Sequence, residues 1–122
     1  MSESEERYDE LADELVFTEQ VTPGKAFGMP CLSANGYMFA GLSRGELVVK
    51  LPGDALQKAL ALAGAHNFDP SGQNMPMREW VQVPAQHAGV WNELARAALA
   101  YARSLPPKAK RGNRRGRGLK EG

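Results

Sequence analysis

Three short apolar runs, residues 25–32, 37–42 and 47–51, are separated only by Ser33-Ala34-Asn35-Gly36 and Ser43-Arg44-Gly45-Glu46. Asparagine and glycine tolerate the positive φ that tight turns require, so Asn-Gly and Arg-Gly between apolar runs mark hairpins. The spacing therefore predicts a three-stranded antiparallel meander. In its third strand Leu47, Val49 and Leu51 alternate with Val48 and Lys50. That is the alternation of a sheet covered on one side.

Around the meander the apolar period changes. Tyr8, Leu11, Ala12 and Leu15 recur at helical spacing and predict an amphipathic helix over residues 4–16, with Ser2 or Ser4 to cap it and early acids suited to the positive end of its dipole. Thr22-Pro23-Gly24 breaks that pattern. Pro52-Gly53-Asp54 stops the third strand and opens a helix over 54–63, with Gly64 as its terminator. Residues 65–69 and 78–83 predict two further strands, joined by the glycine- and proline-containing stretch 70–76. After Pro84 a last helix is expected over 88–104, carrying Val90, Trp91, Leu94, Ala98 and Tyr101 on one face and ended by Pro106-Pro107. The order helix, three strands, helix, two strands, helix predicts an α+β domain of two layers, with helices packed on one face of an antiparallel sheet. The domain is expected to span residues 1–105, and 122 residues at 43% hydrophobic content suffice for one core.

If Leu47, Val49 and Leu51 face the helices, then Val48, Tyr37 and Phe39 are expected on the uncovered side of the sheet. There they would form an apolar patch that reads as a homodimer or partner interface. The competing reading is a strand register slipped by one residue, which turns every side chain to the other face.

The net charge of +1 hides an asymmetry along the chain. Residues 1–20 hold eight acids against Arg7 alone, a local charge of −7. Residues 106–122 hold seven bases against Glu121, a local charge of +6. The remaining body, 1–105, is acidic and lacks the electrostatic footprint of a nucleic-acid-binding domain. The tail has no apolar side chain except Ala109 and Leu119, so nothing in it offsets the entropy of ordering, and disorder is expected. Lys108, Lys110, Arg111, Arg114, Arg115 and Arg117 are spaced by glycines and can track a phosphate backbone, binding any nucleic acid with strong salt dependence. The alternative is a solubilising extension with no particular contact.

Other function classes find less support. The acidic start lacks the basic-then-apolar pattern of a secretory signal, and no run of about 18 apolar residues occurs, so a membrane role is not expected. Cys31 is the only cysteine, which excludes an intramolecular disulfide and a cysteine-rich zinc site and fits the cytoplasm. With His66 and His87 it is the obvious residue to try as nucleophile, base or metal ligand, yet the three match no local signature. Cys31 is expected to be a semi-buried strand residue and the histidines surface or capping residues. No catalytic residue, metal or cofactor is expected. Gly24-Lys25-Ala26-Phe27-Gly28 lacks the spacing of a phosphate loop and precedes a strand rather than a helix. Trp80 and Trp91 could stack bases, but their apolar neighbours favour core positions.

Several segments together resemble the N-terminal domain of the TfoX/Sxy family, regulators of natural competence. They are Gly24 to Cys31, Asn35 to Leu42, Leu47 to Pro52, Phe68-Asp69-Pro70 with Gly72, Glu79 to Pro84, and Ala98, Tyr101 and Ser104-Leu105-Pro106 near the end of the last helix. The resemblance covers about residues 8–107. It implies an α-β(3)-α-β(2)-α fold like that of the secretion-chaperone group, and it brings no catalytic residue. Members with a competence role usually carry a further helical C-terminal domain. The combined expectation is a non-enzymatic bacterial regulatory or binding module that associates through its sheet and touches nucleic acid through its tail. Its rivals are a nucleic-acid-binding protein whose folded body also binds, and a small-molecule enzyme using Cys31.

Overall fold

The structure, a computed structural model, describes residues 3–69 and 77–107. Helix α1 (Glu3–Glu19) leads into strands β1 (Thr22–Ala26), β2 (Met29–Ala34), β3 (Tyr37–Ser43) and β4 (Glu46–Lys50). Helix α2 (Gly53–Leu60) follows, then β5 (His66–Phe68), β6 (Met77–Val83), a 3-10 segment (Ala85–Val90) and helix α3 (Trp91–Ser104). The six strands form one antiparallel sheet in the order β1-β2-β3-β4-β6-β5. The α+β class and the meander stand as expected, with one strand more than the apolar runs suggested.

The extra strand comes from a turn hidden inside an apolar run. Residues 25–32 are not one strand but the two arms of a hairpin, turning at Phe27-Gly28. Phe27 has φ 54° and Gly28 φ 76°, the double positive φ of a type I′ turn, as at Asn35-Gly36 and Arg44-Gly45. Phenylalanine seldom takes that conformation, which is why Phe-Gly gives no hairpin signal. Thr22-Pro23-Gly24 lies within β1 rather than in a break. Proline has no N–H for a ladder, and β1 is an edge strand.

A bulge in β3 decides which residues face the helices. Leu32 pairs with Ala40 and Ser33 with Met38, so Phe39 is an extra residue without a partner on β2. It shifts the alternation by one position. Leu42, Ala40, Phe39 and Tyr37 all reach the core under the helices, while Met38 turns to the opposite face. Tyr37 and Phe39 therefore do not lie on an uncovered face; Phe39 is 1% exposed in the main core. That core also holds Leu15 of α1, Leu47 and Val49 of β4 with Leu51 just after it, Val81 and Val83 of β6, and Trp91 and Ala95 of α3.

Val48 points away from the helices as its alternation requires, yet it is 0% exposed. It packs in a second core with Met29, Phe68 and Trp80. Met29 and Phe68 sit on β2 and β5, four strand spacings apart, or about 19 Å in a flat sheet. The sheet must curl for them to share a cluster, and rings join across it. Phe27 meets Phe68 edge-on at 6.1 Å between centroids, and Phe68 meets Trp80 at 6.4 Å. Both tryptophans are buried, as their neighbours predicted.

Element ends moved for local reasons. Ser4 lies inside α1 rather than at its cap, and Ser2 is outside the described residues. Helix α2 gives way to turns before Gly64, which takes φ 83°. Residues 85–90 are 3-10 rather than α, with His87 off helical geometry.

Gly41 shows how closely the second core is built. A Cβ there would lie 2.9 Å from Met29 Cε and 3.0 Å from the Pro30 carbonyl oxygen. The methionine tip can move aside, but the carbonyl belongs to a paired strand. Gly41→Ala is predicted to lower stability by about 1–3 kcal/mol in urea unfolding with an unchanged slope. An unchanged midpoint would contradict this packing.

Candidate binding cleft and tail anchor

A cleft of about 540 Å³ opens where three elements meet. The first turns of α1 supply Glu5 and Asp9, the β1–β2 turn supplies Phe27 and Gly28, and the β3–β4 turn supplies Arg44 and Gly45. Met29, Pro30 and Leu42 make its apolar wall. The helix can approach the β3–β4 turn because residue 45 is glycine: its φ is 79°, and a Cβ would lie 3.0 Å from Ser4 Oγ. Phe27 stands on the rim, 60% exposed, although its ring edge rests on Phe68. An exposed phenyl held at positive φ on a tight turn is an apolar group kept in water at a conformational cost. The cleft combines an apolar wall with carboxylates on one side and a guanidinium on the other. Phe27 lies inside an apolar run and so gives no signal of its own, and Glu5 and Asp9 do not stand out among the eight acids of residues 1–20.

A second arrangement fixes the end of the domain. Asn35, in the β2–β3 turn, donates from its side-chain amide to the carbonyls of Ala102 at 3.2 Å and Leu105 at 2.7 Å. Tyr37 donates its hydroxyl to the Pro106 carbonyl at 2.6 Å. Lys50 Nζ lies 5.7 Å from the centre of the Tyr37 ring and holds an ion pair with Glu79. Carbonyls at and just beyond the end of α3 are thus bound by side chains of the β2–β3 turn and β3. The chain leaves the domain from a fixed point. Lys108, Lys110, Arg111, Arg114, Arg115 and Arg117 lie outside the described residues.

The expected chemical candidates fall in separate places. Cys31 is buried on β2, and burial pushes its thiol pKa up, which disfavours the thiolate a nucleophile needs. His66 lies on the β5 edge with Nδ1 3.0 Å from the Asn67 carbonyl. His87, in the 3-10 segment, has Nε2 2.8 Å from the Ala63 carbonyl after α2. Three strands separate Cys31 from His66 in the sheet order. Tyr8 is buried under α1, and desolvation raises its pKa well above the usual tyrosine range, with Cys31 and Asp9 adding to the shift. Among the described residues no group of three or more His, Cys, Asp or Glu could hold a metal, and no helix is long and apolar enough to cross a membrane.

The element order, the curled antiparallel sheet and the three Xaa-Gly hairpins define a small α+β domain. The chain belongs to the TfoX N-terminal domain family, whose model matches residues 13–102. No curated protein and no solved structure matches it.

Proposed function

We propose that this chain is a non-enzymatic regulatory module of the TfoX N-terminal type that contacts nucleic acid through its basic tail. The supporting observation is the anchor at the root of that tail. Asn35 and Tyr37 bind the carbonyls of Ala102, Leu105 and Pro106, so Lys108 follows two residues after a backbone position tied to the sheet. A tether rooted in this way keeps its bases close to the body, so nucleic acid held by the tail is presented at high effective concentration to whatever the body binds. Each lysine or arginine acts by displacing condensed counterions, without reading sequence. The unpaired thiol of Cys31 suits a cytoplasmic setting.

A second reading, favoured by the exposure of Phe27, gives the body its own contact: a second copy of the chain docks over the Phe27 rim of the cleft. This places self-association at the edge of the second sheet face, whose centre is filled by Val48 and Trp80.

Duplex binding by the full chain is predicted to fall with salt at a log–log slope of about −5, for six phosphate contacts. Combining Arg114→Gln, Arg115→Gln and Arg117→Gln should reduce that slope by about 3. A slope that keeps its size in the triple variant would assign binding to the folded body and contradict the proposal. For the second reading, Phe27→Asn keeps a residue suited to the turn and removes the ring. Sedimentation velocity across a concentration series should show association of the wild-type chain and its loss in the variant. A wild-type chain that stays monomeric throughout ends that reading.

A further inference from the structure

We infer that the exposed face of α1 is a docking surface for the chain's own basic tail, residues 108–122. On α1, Glu6, Glu10, Asp13 and Phe17 follow one another at i, i+4, i+7 and i+11, so their side chains form one stripe along the helix. All four are exposed, Phe17 at 84%. Among the described residues the three carboxylates of the stripe take part in no ion pair. The acids on the neighbouring face are answered differently: Arg96 of α3 pairs with Glu14 and Glu19, and Arg103 with Glu19. The helix thus already draws arginines from elsewhere on the side where α3 can supply them. The stripe repeats this demand on the side that α3 does not reach. Phe17 adds a ring face at its end, and guanidinium groups stack on such faces.

The tail is the segment whose chemistry answers that demand, and it starts in the right place. Arg96 reaches Glu14 while Arg103, a step further along α3, reaches Glu19. The two helices therefore run side by side in the same direction, and their C-terminal ends lie together. The chain leaves α3 at that end, held by Asn35 and Tyr37. The seventeen residues of α1 rise about 26 Å along its axis. The fifteen residues from 108 to 122 span up to about 50 Å when extended, enough to follow the stripe to Glu6 with slack. Opposite charge, reach and point of departure agree. The docked tail has its bases occupied, so α1 and nucleic acid compete for them, and the module holds nucleic acid less tightly than its tail alone would. The docking stands on the body and tail charges by themselves; only the competition rests on the function proposed above.

Zero-length carbodiimide cross-linking of the full chain, mapped by mass spectrometry, tests the contact without nucleic acid. At low salt, Lys120 and Lys110 are expected to link to Glu6, Glu10 and Asp13 within one chain. The links should vanish at high salt and on addition of excess short duplex. Lys120→Arg/Lys110→Arg should remove them, because a guanidinium does not couple to an activated carboxylate. Combining Glu6→Gln, Glu10→Gln and Asp13→Asn should raise duplex affinity at low salt by about tenfold. Absence of these links at low salt, or links found only between chains, overturns the inference. Links that persist in a chain that fails to bind duplex would retain the docking and refute the nucleic-acid function instead.

Discussion

An unpaired phenylalanine in a central strand sets the orientation of much of this molecule. Because Phe39 has no partner on β2, the alternation of β3 slips by one, and four of its side chains reach the helical side. Tyr37 is among them. Without the slip it would point to the second face, away from α3 and from the chain's exit. With it, the Tyr37 hydroxyl meets the Pro106 carbonyl while Asn35, two residues earlier in the turn, caps Ala102 and Leu105. Each such bond contributes about 1 kcal/mol net, so together they decide whether the last turn of α3 frays. The same slip leaves Met38 on the second face beside Gly41, where Met29 can lie flat.

That second face explains how a sheet with helices on one side only avoids exposing a large apolar surface. Curling brings Met29, Val48, Phe68 and Trp80 together from strands that would otherwise stand far apart. The curl is supported by the irregular pairing at the β5 edge. There the Asn67 side-chain amide donates to the carbonyls of Arg78 and Trp80, replacing ladder bonds that the irregularity removes. Among the described residues of the sheet and its turns, the large apolar side chain left exposed is Phe27, at the margin.

Much of this fold could be read from the chain. The Asn-Gly and Arg-Gly turns, the alternation of Leu47, Val49 and Leu51, and the helical spacing of Tyr8, Leu11 and Leu15 each report a local preference that the packed structure keeps. What escaped reading depends on contacts remote in sequence. A phenylalanine at positive φ is disfavoured locally, and the ring it meets, Phe68, is about forty positions away in the chain. A bulge has no composition of its own, so strict alternation puts Tyr37 and Phe39 on the face opposite to the one they occupy. The anchor joins residues almost seventy positions apart. Of the site residues, the tail bases were legible as charge, whereas Phe27 was hidden in an apolar run.

The central claim is that the root of the basic tail is part of the folded body, and backbone amide heteronuclear NOE values test it most directly. The account predicts that Ser104 and Leu105 are as rigid as the middle of α3 in the wild-type chain. It predicts that both lose that rigidity when Asn35→Ala is combined with Tyr37→Phe, while α1 and the sheet keep theirs. Values at Leu105 that are already low in the wild type, or unmoved in the double variant, would contradict it.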